Sequence, residues 1–388
     1  MKVAILTTGN LNDMKGIMNY VHEKAKTYQS LHIDYQLFFV ETIYDGILRV
    51  LKNRGKVQYK KENSVEKDGL TYTILHRKVT LKSLLWGLVN KQFIANSEIK
   101  HFYSSLNQFD AITSHQLPCH YMALKMKEKY NIPYLATWHG SDINDSPRRS
   151  KRLMFCTRLV MEKADMNFFV SKGLLKASDS ITTVARKDYI YTGPASSFYK
   201  YDEKRRGELR DKYGVSNQRV ISYSGNLIPM KNVMVLPSIF RRLCDKMPGT
   251  PFTFWVIGDG VQQQQLISSL DETGVCYKMF GKVQPAIMPD LMNCTDILVM
   301  PSLMEAFSLS VVEARCCGSC VVASNVGGLP ESAGEENCFP LDDTFIERIT
   351  DRMREMIVNK EQPKPLSEEH TWVGAVNKEL SVLKEIIQ

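Results

Sequence analysis

Two doubly wound α/β domains are what this 388-residue sequence predicts, and three observations predict them. Short, nearly all-apolar runs alternate with helix-length amphipathic stretches along most of the chain, as expected for parallel strands covered by helices on both faces. The length suits two domains at roughly 150 residues each. The composition is globular, with 44% hydrophobic, 24% charged and 10% aromatic residues, which excludes disorder, collagen and coiled coil. Ligands of such folds bind beyond the carboxyl ends of the strands.

In chain order, the predicted strands of the first domain are residues 3–7, 35–40, 111–114, 134–138, 167–171 and 189–192. Those of the second are 220–224, 253–257, 277–280, 297–301 and 320–323. One helix closes over 161–164, and another lies within 284–293. The break falls after Gly193-Pro194, ahead of a charged helix over 201–212, giving domains 1–195 and 196–371. The tail from about Thr371 reads as a helix through Val373, Val376, Leu380 and Leu383, set apart by Pro363 and Pro365.

No apolar run nears the ~20 residues that span a bilayer; the uncharged stretch 83–90 is too short, and residues 1–6 are too brief for a signal-peptide core. The expected location is the cytoplasm. The nine cysteines lack regular spacing, and Cys317-Gly-Ser-Cys320 has no second pair at zinc-site spacing, so buried thiols are expected.

The net charge of +8 is uneven: residues 1–195 hold 29 Lys and Arg against 17 Asp and Glu, the remainder 21 against 25. The densest clusters are Lys52, Arg54 and Lys56 with Lys60-Lys61, and Arg148-Arg149-Ser150-Lys151-Arg152. Such asymmetry points to a polyanionic or membrane-surface partner, or to a solvated basic face. Nucleic acid is disfavoured, because no interleaved aromatic platform or zinc finger accompanies the charge.

Four blocks carry candidate chemistry. The first runs from Pro301 through Glu305, Phe307, Ser308, Leu309 and Glu313 to Gly318, then on to Gly327-Gly328-Leu329-Pro330. It reads as strand, loop, helix, strand, glycine turn. Its loop 305–309 opens the helix, so backbone N–H groups and the helix dipole can receive an anion. If both glutamates were helical they would stand roughly 12 Å apart along the axis, too far for a hydrolytic pair, which needs about 5–9.5 Å. They suit hydroxyls of a polyhydroxylated ligand instead, unless Glu313 is a solvated helix residue. The second block, Ser224-Gly225-Asn226-Leu227-Ile228-Pro229-Met230-Lys231-Asn232, follows a strand. It can set an ammonium beside a diphosphate, or be a surface turn.

The third block, Trp138-His139-Gly140-Ser141-Asp142, places a histidine at a strand exit, with His115 a weaker second candidate and Asp142 a third. The fourth is the loop from Thr8-Gly9-Asn10 to Lys15-Gly16-Ile17-Met18, which opens a helix. Val256-Ile257-Gly258-Asp259-Gly260 lacks the third glycine and the ribose acid of a dinucleotide fingerprint, which counts against NAD and an oxidoreductase.

Together these blocks resemble the retaining glycosyltransferases of family 4, within glycosyl transferases group 1. The resemblance implies the GT-B fold: two Rossmann-like domains facing a central cleft, with the C-terminal helix, residues 372–388, returning to the N-domain. Glu305 and Glu313 match the family's Glu-x7-Glu motif, which implies donor-sugar contacts for the first and ribose contacts for the second. Ala306 and Ser308 replace glycines usual in the family. Lys231 matches a diphosphate-binding lysine, whereas Asn226 stands where an arginine is expected and Asn232 where a glycine is. His139 matches an active-site histidine and Gly16 one of two loop glycines; Gly258 falls on the donor cleft, and Val283 beside the nucleotide base. Phe168–Lys172 and Thr371-Trp372 also fit. The likeness is strongest over 220–332 and weakest over 41–108.

The activity implied is metal- and cofactor-independent transfer of a hexosyl or N-acetylhexosaminyl group, with retention, from a nucleotide sugar (UDP favoured) to a saccharide or lipid-linked hydroxyl acceptor. Bacterial polysaccharide or glycoconjugate synthesis would be its setting, on the inner face of the cell membrane. His139, Lys231 and Glu305 are the expected catalytic residues. Gly16, Gly225, Asn226, Lys231, Gly258, Val283, Glu305, Phe307, Ser308, Leu309 and Glu313 are the expected donor-binding residues, and no metal ligand is expected. The alternative is a catalytically weak nucleotide-sugar-binding relative acting as a partner subunit.

Overall fold

A computed structural model describes residues 1–12, 16–44, 63–81 and 103–388. The chain folds as two compact units, one of Met1–Tyr191 with Trp372–Gln388 and one of Thr192–Thr371. The cluster at Lys52–Lys61, Lys15, and the stretch 83–90 lie outside the described residues.

The first unit is built on strands β1 (Lys2–Thr7), β2 (Asp34–Tyr44), β3 (Ser64–Lys67), β4 (Leu70–Val79), β5 (Ala111–His115), β6 (Tyr134–Trp138), β7 (Met166–Phe169) and β8 (Lys187–Tyr189). They lie in the order β3-β4-β2-β1-β5-β6-β7-β8, parallel except for the antiparallel β3–β4 pair. Strands β1, β5 and β6 are buried at every position but Lys2 and are mostly apolar or small, His115 at the end of β5 being an exception, which is why they are legible in the sequence. The pair β3 and β4 is not predicted, because at the sheet margin exposed Thr71 alternates with buried Leu70 and Tyr72 and breaks the apolar run. The last predicted strand, 189–192, is corrected to β8: its partner β7 ends at Phe169, opposite Tyr189, so the ladder stops there.

The C-terminal helix Trp372–Ile387 packs on helix Ile17–Ser30. Its buried face is Trp372, Ala375, Val376, Glu379, Leu380, Val382 and Leu383. Val373, expected on that face, is exposed, because at about 100° from Trp372 it falls just past the edge of the stripe, which Leu380 marks at about 80°.

The second unit has six parallel strands, β9 (Arg219–Ser224), β10 (Phe252–Ile257), β11 (Tyr277–Gly281), β12 (Ile297–Met300), β13 (Cys320–Ser324) and β14 (Cys338–Phe339), in the order β11-β10-β9-β12-β13-β14. The two-residue β14 is too short for any periodicity to reveal. Helix Leu236–Lys246 covers one face, with Phe240 stacked on Phe254 at 4.2 Å. The charged helix starts at Glu203 rather than 201, because the Asp202 side chain accepts from Arg205 N and caps it, and Gly214 in the left-handed conformation ends it. The region 284–293 is a 3₁₀ turn, Pro285–Ile287, followed by helix Met288–Cys294.

All nine cysteines are free thiols. Burial pushes the Cys320 thiol up to about 11 and that of Cys317 further. Among the described residues no helix is long and apolar enough to cross a membrane.

Strand order reverses between β1 and β5 in the first unit and between β9 and β12 in the second. Connections leave such neighbours to opposite sides, opening a crevice beyond their carboxyl ends. The loops after β1, β9 and β12 carry Gly16, Lys231 and Glu305, while His139 follows the neighbouring strand β6.

Candidate active site

In the second unit, the loop after β9 holds Gly225 to Lys231 and the loop after β12 holds Pro301 to Ser308. Leu303 N donates to Met230 O at 2.9 Å, tying the two loops together. Across this tie the Lys231 ammonium donates to Glu305 Oε2. The two side chains keep 20% and 14% of their exposure, so the pair lines an accessible surface and is not sealed in the core.

Two glycines make the approach possible. Gly258 has φ +133°, and a Cβ there would fall 1.9 Å from the Gly225 carbonyl oxygen. The loops after β9, β10 and β11 are laced by Gly225 N to Ile257 O (2.9 Å), Leu227 N to Asp259 O (2.8 Å) and Gly258 N to Gly281 O (2.8 Å). Gly327 has φ +54°, and a Cβ there would meet the Glu305 carbonyl oxygen at 1.8 Å. The next residue, Gly328, donates its N–H to that same oxygen at 3.0 Å. The turn after β13 therefore fixes the backbone from which the Glu305 carboxylate projects. Gly258 and Gly327 admit no side chain without displacing a neighbouring backbone.

Helix Leu309–Cys316 follows, with buried Ser308 at its N-cap; the Ser308 hydroxyl makes no capping bond. First-turn N–H groups without a side-chain cap can receive an anion. Glu305 lies in the loop and only Glu313 is helical, so the axial spacing expected for two helical carboxylates does not apply. Glu313 and Phe307 are half-buried, Phe307 stacking on His370 at 6.0 Å. Asn226 is exposed, and its carbonyl accepts from the Tyr223 hydroxyl at 2.9 Å. Asn232 takes the left-handed conformation, which asparagine tolerates better than most residues. Val283 is half-buried against the cluster containing Trp255, Ile257 and Leu291.

In the first unit, His139 leaves the end of β6 and His115 ends β5, with 3.0 Å between His139 Nε2 and His115 Nδ1. Tyr20 sets its ring edgewise to His139 at 4.7 Å and to Trp372 at 5.0 Å. Burial, then the nearby Lys24 charge, pushes His139 down to about 3, and burial holds His115 well below its usual value. Both imidazoles are therefore neutral near pH 7. Asp142 accepts the backbone N–H groups of His139 (3.0 and 3.1 Å) and Gly140 (2.8 Å). Burial raises its carboxyl to about 6 although those bonds pull it down. Asp142 thus shapes the turn that presents His139. Gly16 precedes helix Ile17–Ser30 with φ +53° and is exposed.

Sequence reasoning passes over Lys24, Glu379 and the role of Gly327. The signal for the first two is positional: Lys24 shares the face of Val21, Ala25 and Tyr28, and Glu379 that of Val376, Leu380 and Leu383. A charge inside an apolar stripe must be paired.

Residues 205–371 match the family described as "Glycosyl transferases group 1". The chain is 25% identical over 339 residues to a putative teichuronic acid biosynthesis glycosyltransferase, TuaC, of Bacillus subtilis (strain 168), covering 86% of this chain and 84% of that protein. It is 24% identical over 245 residues to a D-inositol 3-phosphate glycosyltransferase of Corynebacterium jeikeium (strain K411), 57% of each chain. Among solved structures, Anabaena HepE in complex with UDP and glucose matches with a TM-score of 0.68 at 16% identity, over 100% of this chain and 98% of that one. Sucrose-phosphate synthase from Thermosynechococcus elongatus matches at 0.67 and 14%, over 100% and 94%. The fold is GT-B, and the matches support a glycosyltransferase.

Proposed function

We propose that this chain is a retaining glycosyltransferase moving a hexosyl or N-acetylhexosaminyl group from a nucleotide sugar, UDP favoured, to a saccharide or lipid-linked hydroxyl. One observation carries the reading: Lys231 and Glu305 are brought together on the two loops where the second sheet reverses its strand order. An ammonium beside a carboxylate is what a sugar diphosphate asks for, the first for phosphate oxygens and the second for sugar hydroxyls. The named complexes of HepE with UDP and UDP-glucose support a donor of that class.

In the proposed reaction the bond from the anomeric carbon to the diphosphate oxygen breaks, and its electron pair leaves with the diphosphate. The acceptor oxygen bonds the same face of the carbon, and its proton passes to the departing phosphate oxygen. Lys231 stabilises the charge that grows on the diphosphate, together with the open N–H groups at Leu309. Glu305 orients the sugar and Glu313 the ribose. No step calls for a metal.

The test is a turnover assay in excess EDTA with UDP-glucose and related donors, reading nucleoside diphosphate release and the anomeric configuration of the product. Release with retention is expected. Nucleotide binding without release in any donor would leave the binding-only reading, and an inverted product would remove the proposed stereochemistry.

A further inference from the structure

The first unit buries an ion pair that the proposed reaction leaves unused. Lys24, on helix Ile17–Ser30, is 1% exposed and Glu379, on the C-terminal helix, 0%. Lys24 Nζ has three neighbours for its three protons: Glu379 Oε2 at 2.6 Å, Thr113 Oγ1 at 3.0 Å and His115 Nε2 at 3.4 Å. The other carboxylate oxygen of Glu379 accepts from the Tyr28 hydroxyl at 2.5 Å. For a pair removed from water this completely, desolvation offsets much of the attraction between the two ions, so its position asks for a reason beyond stability.

The reason lies in what an ammonium can do. It donates and cannot accept. His115 Nε2 must then be the bare, accepting nitrogen, and the neutral His115 ring carries its proton on Nδ1. That proton points along the 3.0 Å contact to His139 Nε2, which must accept it. A neutral His139 is left with its own proton on Nδ1, for which the described residues supply no hydrogen-bond partner. We propose that Lys24, held by Glu379, is a positioning residue that sets the tautomer of His139 through His115, so that His139 offers its ligand an N–H donor. A ring with that proton fixed on its free nitrogen cannot serve as a general base there. It fits an oxygen lone pair of a sugar hydroxyl or phosphate, and it leaves the acceptor's proton to the departing phosphate. This inference rests on the proposed function for the identity of the ligand alone; the tautomer itself does not depend on it.

The depressed affinities of His115 and His139 for protons agree, since both follow from burial and the Lys24 charge. An internal control is present. The Ser114 hydroxyl donates to Leu135 O at 3.0 Å, so at its 2.8 Å contact it must accept from His120 Nδ1. The tautomer of His120 is thereby set without Lys24.

The experiment is ¹⁵N spectroscopy of the histidine-labelled full chain at neutral pH, without donor. In the wild type, His115 and His139 should each show a protonated Nδ1 and a bare Nε2. A protonated Nε2 on either ring would overturn the proposal. Lys24→Met alone strands a buried carboxylate, so the informative variant is Lys24→Met with Glu379→Met, which replaces the pair by apolar volume. In it, the His139 signals should move to the averaged positions of mixed tautomers while those of His120 stay fixed. A single, unchanged His139 tautomer would also overturn the proposal. UDP affinity, assigned to the second unit, should be unchanged in this variant while donor turnover falls. Unchanged turnover with an altered tautomer would detach the relay from the reaction without touching the relay itself.

Discussion

Glu313 and Glu305 are both carboxylates in one motif, yet their surroundings separate their tasks. Glu305 sits on a loop whose backbone is braced by Gly327 and Gly328, within reach of Lys231. Glu313 is fixed in the body of a helix. A loop carboxylate held against an ammonium can exchange that partner for sugar hydroxyls, whereas a helical one offers a constant hydrogen-bond geometry suited to a ribose. Glu313→Ala should therefore weaken UDP binding by ~1.5–3 kcal/mol, the size of a lost charge-assisted hydrogen bond, measured by titration calorimetry. Unchanged affinity in a folded variant removes the ribose role. At this scale the sequence is readable where a residue type announces its chemistry, as with Lys231 and the paired glutamates. It is unreadable where the meaning lies in a partner far along the chain: Lys24 meets Glu379 across 355 residues.

Of the two densest basic clusters, the one the structure describes leads into the helix Lys151–Lys163. Its four-residue approach is already engaged: Arg148 donates to the carbonyl oxygens of Ile143 and Asn144, and Arg149 pairs with Asp145. Those two arginines brace the turn after His139, so replacing them would disturb the site as well as the charge. Lys151 is exposed in the first turn, with Phe155 exposed one turn on, and Arg152, half-buried beside it, adds to the same charge. Basic residues beside an exposed aromatic suit an anionic lipid surface. Lys151→Gln with Arg152→Gln should reduce sedimentation with phosphatidylserine vesicles by about 1 kcal/mol per charge and leave UDP affinity alone. Vesicle binding indifferent to both the variant and salt would make this a solvated face. Burial made most elements legible, although the half-exposed edge strand β11 was legible too. Strands β1, β5, β6, β9, β10 and β12 lie inside their sheets and read as apolar runs, while β3, β4 and β14 lie at or near margins, where one exposed face or a two-residue length erases the pattern.

For the whole molecule, the sequence carried the doubly wound class because two sheets of parallel strands need two series of apolar runs. Both sheets reverse order where the loops after β1, β9 and β12 begin, the loops to which the sequence motifs assign Gly16, Lys231 and Glu305. The sequence did not carry the lacing of the loops after β9, β10 and β11, since Gly225, Gly258 and Gly281 are distant in sequence and meet only through backbone hydrogen bonds. In the proposed reaction the loop after β9 meets the donor diphosphate through Lys231. The direct measurement is kcat for nucleoside diphosphate release in Lys231→Ala and in Asn226→Ala, side by side with the wild type. Lys231→Ala should lower kcat on the order of 10²-fold or more, as when one electrostatic donor is removed from a developing charge. Asn226→Ala should cost less, because its side chain is exposed and a neutral hydrogen bond has about half the strength of a charge-assisted one. A larger loss in Asn226→Ala than in Lys231→Ala would contradict the account.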